Sequence, residues 1–303
     1  MQGNRQTLAA IITLRNYNKE VEEMCFMCEQ FGAPEHGDGI WYLNPRNYAR
    51  NMYKLRAPGE GFKGAEVGLE TGARAGPSQQ DLMDAVENND KAEFERVREI
   101  LQRTGQGAMV VPRDDADRVL ELCSPIALMA CICRKGVRAI DERNEREFTC
   151  MGMGVGMLKW ERWPERYKGG VKFVNTEEAI EWNHEMDDRG FVHILMLFGA
   201  PFIGGFCQCD YPDCGMLRNG VDFGMGALKS HYLAQVDYEQ CNGCGICAQR
   251  CQWGALKYET TTGKANIDQF KCYGCGLCHT ACPREAISLV RRDTVPAVAE
   301  VWL

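Results

Sequence analysis

Eight cysteines near the end of the chain constrain its fold more than any other feature. They read Cys241-Asn-Gly-Cys244-Gly-Ile-Cys247-Ala-Gln-Arg-Cys251 and, 31 residues further on, Cys272-Tyr-Gly-Cys275-Gly-Leu-Cys278-His-Thr-Ala-Cys282-Pro283. This is C-x2-C-x2-C-x3-C written twice. The likeness runs past the cysteines: Gln252-Trp-Gly-Ala-Leu256 answers Pro283-Arg-Glu-Ala-Ile287, so the segment is an internal repeat of two half-units. Cysteines at intervals of three let one tight loop present thiolates to three corners of a compact cluster, while a remote cysteine closes the fourth. Gly243, Gly245, Gly274 and Gly276 fall between them, where the backbone must turn sharply. Structural zinc sites show paired C-x2-C knuckles instead. The spacing points to iron–sulfur cubanes.

Residues 233–292 resemble the two-cluster [4Fe-4S] bacterial-type ferredoxin domain. In that family the fourth cysteine of each run serves the other cluster. The resemblance therefore implies Cys241, Cys244, Cys247 and Cys282 for one [4Fe-4S] cluster, and Cys272, Cys275, Cys278 and Cys251 for the second. It also implies a small sheet-and-helix fold, one low-potential electron per cluster and no chemistry on a substrate. Gln252 departs from the pattern, standing where the family usually has Pro, outside the ligands.

Of the 17 cysteines, nine lie upstream of this segment. An odd total together with cubane spacing argues against a disulfide framework and for a reducing, cytoplasmic compartment. No signal peptide is expected, because Leu8 to Leu14 is short and has no small-residue cleavage site behind it. The longest apolar run, Phe191 to Phe206, is interrupted by His193, Pro201 and several glycines, so no membrane-spanning segment is expected. A net charge of −7 disfavours nucleic acid as a partner. From His231 to Leu303, seven acidic residues balance seven basic ones. That neutrality suits a fixed relay, held by the rest of the chain or by a partner, better than a free acidic carrier.

The chain reads as an α+β protein: a mixed helix and strand N-terminal region, then a C-terminal ferredoxin-like domain. Residues 1–57 form a helical segment, with helices over 5–31 and 46–56, Asn44 capping the second and Pro45 at its first position. Residues 58–79, rich in Gly, form an arm or linker. Residues 80–230 form an α/β Cys-rich domain, and 231–303 the two-cluster domain with a C-terminal tail. Within 80–230, Leu82, Val86, Phe94, Val97, Ile100 and Leu101 give one amphipathic helix over 80–103. A second helix covers 114–122. Ser124 to Arg134 reads as a buried strand. Asn175-Thr-Glu177-Glu178 opens a helix with a capping box, and Gly190 ends it. Strands follow over 191–197 and 229–239.

Cys131, Cys133, Cys150, Cys207, Cys209 and Cys214 form a second candidate site. Two C-x-C pairs on neighbouring strands would each turn both thiols to one face and offer them to a third centre, iron–sulfur or zinc. Unligated thiols are the plain alternative. Cys25-Phe-Met-Cys28 sits at helical i, i+3 spacing. It reads as two buried thiols beside Met24, Phe26 and Met27, with half a metal site or a dithiol pair as the alternative. His184, His193, His231 and His279 read as surface or core residues, with His279 placed to tune a cluster by hydrogen bonding. Gly152, Gly154 and Gly156 lack dinucleotide-binding spacing.

Residues 120–214 also resemble an upstream block of uncharacterised ferredoxin-fused proteins of anaerobes. The shared elements are Cys131 to Arg134, Thr149-Cys150, Glu177 to Ala179, Gly190 to His193 and Cys207 to Cys214. That resemblance implies an anaerobic redox role. Three functions follow from the sequence. The first is an electron-transfer subunit relaying single electrons to or from a flavin- or metal-containing oxidoreductase. The second is a redox enzyme whose Cys-ligated metallosite in 120–215 is wired by its own ferredoxin domain. The third is a cluster-bearing sensor or assembly protein.

Overall fold

The computed structural model describes residues 25–45, 47–48, 79–104, 108–157, 170–197, 203–223 and 227–302. The Pro58–Pro77 arm, residues 5–24 of the first expected helix and most of the expected helix over 46–56 lie outside them.

The first described helix, α1 (Phe26–Phe31), begins at Cys25, whose sulfur caps it by accepting from the Cys28 N–H, and stops at Gly32. Two single-turn 3-10 segments follow and bury Trp41, Tyr42 and Leu43. The single helix expected over 80–103 is two, α2 (Gln79–Glu87) and α3 (Lys91–Thr104). The break falls at Asn88-Asn89-Asp90. Asn89 takes a left-handed φ of 54°, and the Asp90 carboxylate accepts from the Glu93 N–H at 3.0 Å, starting a new helix. Val86, on the expected apolar face, is exposed, whereas Leu82 and Val97 are buried together.

Next come β1 (Ala108–Val111), α4 (Arg113–Leu122) and β2 (Ile126–Met129). The strand expected to run through Arg134 ends at Met129. Cys131 caps α5 (Ile132–Arg138) instead, its sulfur accepting from the Arg134 N–H at 3.4 Å, so Cys131 and Cys133 do not share a strand face. β3 (Cys150–Met153) and β4 (Val171–Val174) precede α6 (Thr176–Asp188), which carries the expected Asn175–Glu178 capping box. β5 (Val192–Leu197), β6 (Ile203–Cys209), α7 (Gly215–Phe223) and β7 (Ala227–Leu228) complete this part.

The seven strands form one sheet in the order β4-β2-β3-β6-β5-β1-β7. All pairs are antiparallel except β1 with β7. Alternation along β1 shows how the sheet is covered. Met109 and Val111 join a core with residues 40–43, α4 and α6, while Ala108 and Val110 join a second core on the other face.

That second core is shared with the C-terminal residues. There β8 (Tyr232–Val236), α8 (Ile246–Arg250), β9 (Leu256–Glu259), β10 (Lys264–Ile267), α9 (Leu277–Thr280) and β11 (Ile287–Arg291) form two antiparallel ribbons, β8 with β11 and β9 with β10. Ala108, Val192 and Leu217 from upstream pack in one cluster with Leu233, Trp253, Leu277 and Ile287, so the hydrophobic core crosses the 230/231 boundary. Polar ties reinforce it. Gln252 accepts from the Tyr211 N–H at 2.6 Å and donates to the Gly190 carbonyl, and Arg250 reaches the Asp187 carbonyl.

Candidate metal centres

Two hollows of similar size open in the C-terminal region. The first is lined by Cys241, Cys244 and Cys247 from the first run and by Cys282 from the second. The second is lined by Cys272, Cys275 and Cys278 from the second run and by Cys251 from the first. Backbone shape makes the hollows possible. A side chain at Gly243 would place its Cβ 2.0 Å from the Gly263 carbonyl oxygen, and one at Gly274 would place it 2.0 Å from that of Tyr232. Both glycines have positive φ, so each half-repeat uses the same device.

The hollows differ in exposure. Cys244 is exposed, whereas Cys272 and Cys275 are buried. Behind the second hollow, Trp253 and Tyr273 stack with centroids 3.6 Å apart. Arg292, fully buried, donates to the carbonyls of Ser230 (2.9 Å), Tyr232 (3.0 Å) and Cys272 (2.9 Å). Lys229 donates to the Phe270 carbonyl at 2.7 Å beside the Tyr273 ring. Burial pushes the thiols of Cys247, Cys272, Cys275 and Cys278 up. Four thiolates in one such hollow need a cationic centre to compensate them, and this donor set fits an iron–sulfur cluster. His279 is tied to the backbone, its Nδ1 against the Ile287 carbonyl.

The six upstream cysteines converge, though not as two strand-borne pairs. Register places Cys150 of β3 directly opposite Cys207 of β6, with sulfurs 3.9 Å apart. Cys209 follows on the same strand face, and its sulfur lies 2.8 Å from that of Cys214. Thiol contacts join Cys131 to both Cys133 and Cys150, and Cys207 to Cys209. The result is one file: Cys133, Cys131, Cys150, Cys207, Cys209, Cys214. Hydrogen bonds from their neighbours in the file pull Cys131 and Cys207 down and push Cys133, Cys150 and Cys209 up. Charged groups clasp the arrangement. The buried Glu142 carboxylate accepts from the N–H of Cys131 (2.8 Å) and of Thr149 (3.1 Å) and from the Thr149 hydroxyl (2.6 Å). Arg134 pairs with Asp210, and Arg138 with Asp213 at 2.8 Å, drawing α5 onto the loop between Cys209 and Cys214.

A further group was not assembled from the sequence. Cys25 and Cys28 have sulfurs 3.3 Å apart, and His231 Nε2 lies 3.0 Å from Cys28 Sγ. All three are buried, with ligand atoms within 4.8 Å of one another. The Cys25–Cys28 spacing was a signal. The histidine, 203 residues from Cys28, carried none.

Residues 234–286 match a family model described as a 4Fe-4S dicluster domain. All eight cysteines of the two hollows fall within this match, and this part of the chain is an iron–sulfur domain with an electron-transfer role. No curated protein matches the chain. Among the described residues, no helix is long and apolar enough to cross a membrane.

Proposed function

We propose that this chain is an iron–sulfur electron-transfer protein or subunit with two [4Fe-4S] clusters, relaying single low-potential electrons to or from a flavin- or metal-containing oxidoreductase. Cys241, Cys244, Cys247 and Cys282 hold one cluster, and Cys272, Cys275, Cys278 and Cys251 the other. The observation that carries this reading is the crossing of the fourth cysteines: each hollow takes three thiols from one run and the last thiol of the other. When bound, a cluster supplies reversible storage of one electron. The chain's own residues do the rest. Leu256, Ala265 and Ile287 on one hollow, and Trp253, Ala255 and Leu277 on the other, keep water from the sulfurs. Gly243 and Gly274 let the backbone close around them. The first hollow, with Cys244 exposed, is the outer one and faces the partner. The second, backed by Trp253 and Tyr273, is the inner one. The test is iron and acid-labile sulfide per chain, with electron paramagnetic resonance of the reduced protein. Cys275→Ala loses one cluster and about half the low-potential signal. Survival of both clusters in that variant removes the ligand assignment.

The file of six upstream thiols favours a second reading, a third metal centre, iron–sulfur or zinc, held between α5, β3 and β6. It would serve either as the relay's inner terminus or as a catalytic metallosite wired by the C-terminal domain. Soft thiolates in contact, buried at Cys131, Cys209 and Cys214 and half-buried at Cys133, Cys150 and Cys207, suit such a metal. Replacing Cys131 and Cys133 together by serine lowers the metal content of the purified chain while the C-terminal iron stays. An unchanged metal content removes the third centre.

A further inference from the structure

We propose that Cys25, Cys28 and His231 form a mononuclear zinc site with three protein ligands and a fourth position open to the small cavity beside Asp38. The site is separate from the two C-terminal hollows and from the upstream thiol file.

The donor set is soft and compact. A zinc ion bonds thiolate sulfur at about 2.3 Å and imidazole nitrogen at about 2.0–2.1 Å, so tetrahedral angles bring its ligand atoms to about 3.5–3.8 Å from one another. The sulfur–sulfur separation of 3.3 Å and the sulfur–nitrogen separation of 3.0 Å are hydrogen-bond distances, shorter than those values, and all three atoms lie within 4.8 Å of one another, so the side chains need only part slightly to admit a single ion. A multi-iron cluster would spread its ligands over several metal corners.

Local structure holds each ligand in place. Cys25 is the cap of α1, and its sulfur already accepts the Cys28 N–H at 3.4 Å. The imidazole is set by the edges of Tyr42 and Trp302, at 5.5 and 5.2 Å between ring centroids. Its Nδ1 is buried with no hydrogen-bond partner among the described residues, while its Nε2 faces the thiol pair. Coordination through Nε2, the nitrogen that faces the thiols, would hold the ring proton on Nδ1.

The alternatives fit less well. A disulfide requires sulfurs at about 2.05 Å, well inside the separation seen. Thiol exchange with another protein requires in-line access to a sulfur. Here Cys25 is 3% and Cys28 6% exposed. What does reach the group is a cavity lined by Asp38, Gly39, Arg291, Asp293 and Trp302, and Asp293 is already engaged by Arg291 at 2.5 Å. The fourth position therefore takes a water molecule or small ligand. Two thiolates neutralise the dication, and no carboxylate is required.

The experiment measures zinc, iron and labile sulfide on chain produced with added zinc and purified without oxygen. It is joined to zinc-edge X-ray absorption of the same sample. The expected result is one zinc per chain with two sulfur and two lighter neighbours. Zinc falls to background in Cys28→Ala, while iron and sulfide hold and zinc is retained in Cys123→Ala. His231→Cys keeps the zinc and moves its shell to three sulfurs. A chain free of zinc overturns the proposal, as does zinc retained in Cys28→Ala. A shell of four sulfurs in the unaltered protein also overturns it, assigning the metal to the upstream file. The absorption measurement needs no variant, so a misfolded Cys28→Ala chain does not shield the idea.

Discussion

At the residue scale, the glycines between the cysteines show how sharply a cluster-binding loop is specified. Gly274 has φ +67°, and a Cβ there would sit 2.0 Å from the Tyr232 carbonyl oxygen and 2.7 Å from its carbon. Backbone cannot yield as the tip of a flexible side chain can. Gly274→Ala therefore pays twice, with about 1–3 kcal/mol for the left-handed conformation and a further cost for parting the loop from β8. The expected outcome is a lower thermal midpoint and a deficit of iron confined to the second hollow, read by iron analysis and melting of the reduced protein. Gly245, whose Cβ would meet nothing within 4 Å, carries only the conformational cost. Gly245→Ala should be the milder variant, and equal effects at both positions would contradict the close-approach argument. Gly274 could be marked from the sequence as a turn. That it faces the carbonyl of a residue 42 positions earlier could not.

At the element scale, the junction between the iron–sulfur segment and the sheet turns on one side chain. Gln252 stands where the resembled family usually has Pro, and its amide bridges the Tyr211 N–H and the Gly190 carbonyl. Proline there would remove both hydrogen bonds, each contributing about 0.5–1.5 kcal/mol. Gln252→Pro is expected to keep its iron, lower the thermal midpoint and speed hydrogen exchange at Tyr211. Unaltered exchange would mean that the bridge contributes nothing. Legibility also varies by element. The Asn175–Glu178 capping box and the Gly190 stop were readable because caps are local chemistry. The helix over 80–103 was not, because Leu82, Phe94 and Val97 keep a helical period across a break set by Asn89 and Asp90. The strand through Cys133 failed for a tertiary reason: Glu142, eleven residues on, takes the Cys131 N–H and lets its sulfur cap a helix. Spacing marked the eight C-terminal cysteines as two runs, and the family resemblance, not the spacing alone, implied how they would be shared. The convergence of Cys131, Cys150, Cys207 and Cys214 depends on sheet register, and that of Cys25 with His231 on packing across the whole chain.

At the scale of the whole molecule, α4 and α6 pack on one face of the sheet, the iron–sulfur segment shares the core of the other face with α7, and the cysteines of the second hollow are the less exposed set. The buried Arg292, with Lys229 beside it, makes that difference electrical. A guanidinium shielded from solvent acts on its neighbours more strongly than do the exposed Lys257 and Arg284 at the rim of the first hollow, whose fields water and salt screen. Adding an electron adds negative charge, which a nearby fixed cation favours. The two otherwise equivalent halves of the repeat should thus fill in a set order, the inner before the outer. A stepwise reductive titration followed by electron paramagnetic resonance should show two waves, the earlier one missing in Cys275→Ala and shifted to lower potential in Lys229→Met. Coincident waves would deny the asymmetry. In the relay proposed above, one buried arginine would set the two equal vessels of the duplication at different heights, so that charge arriving from outside would drain inward toward the sheet.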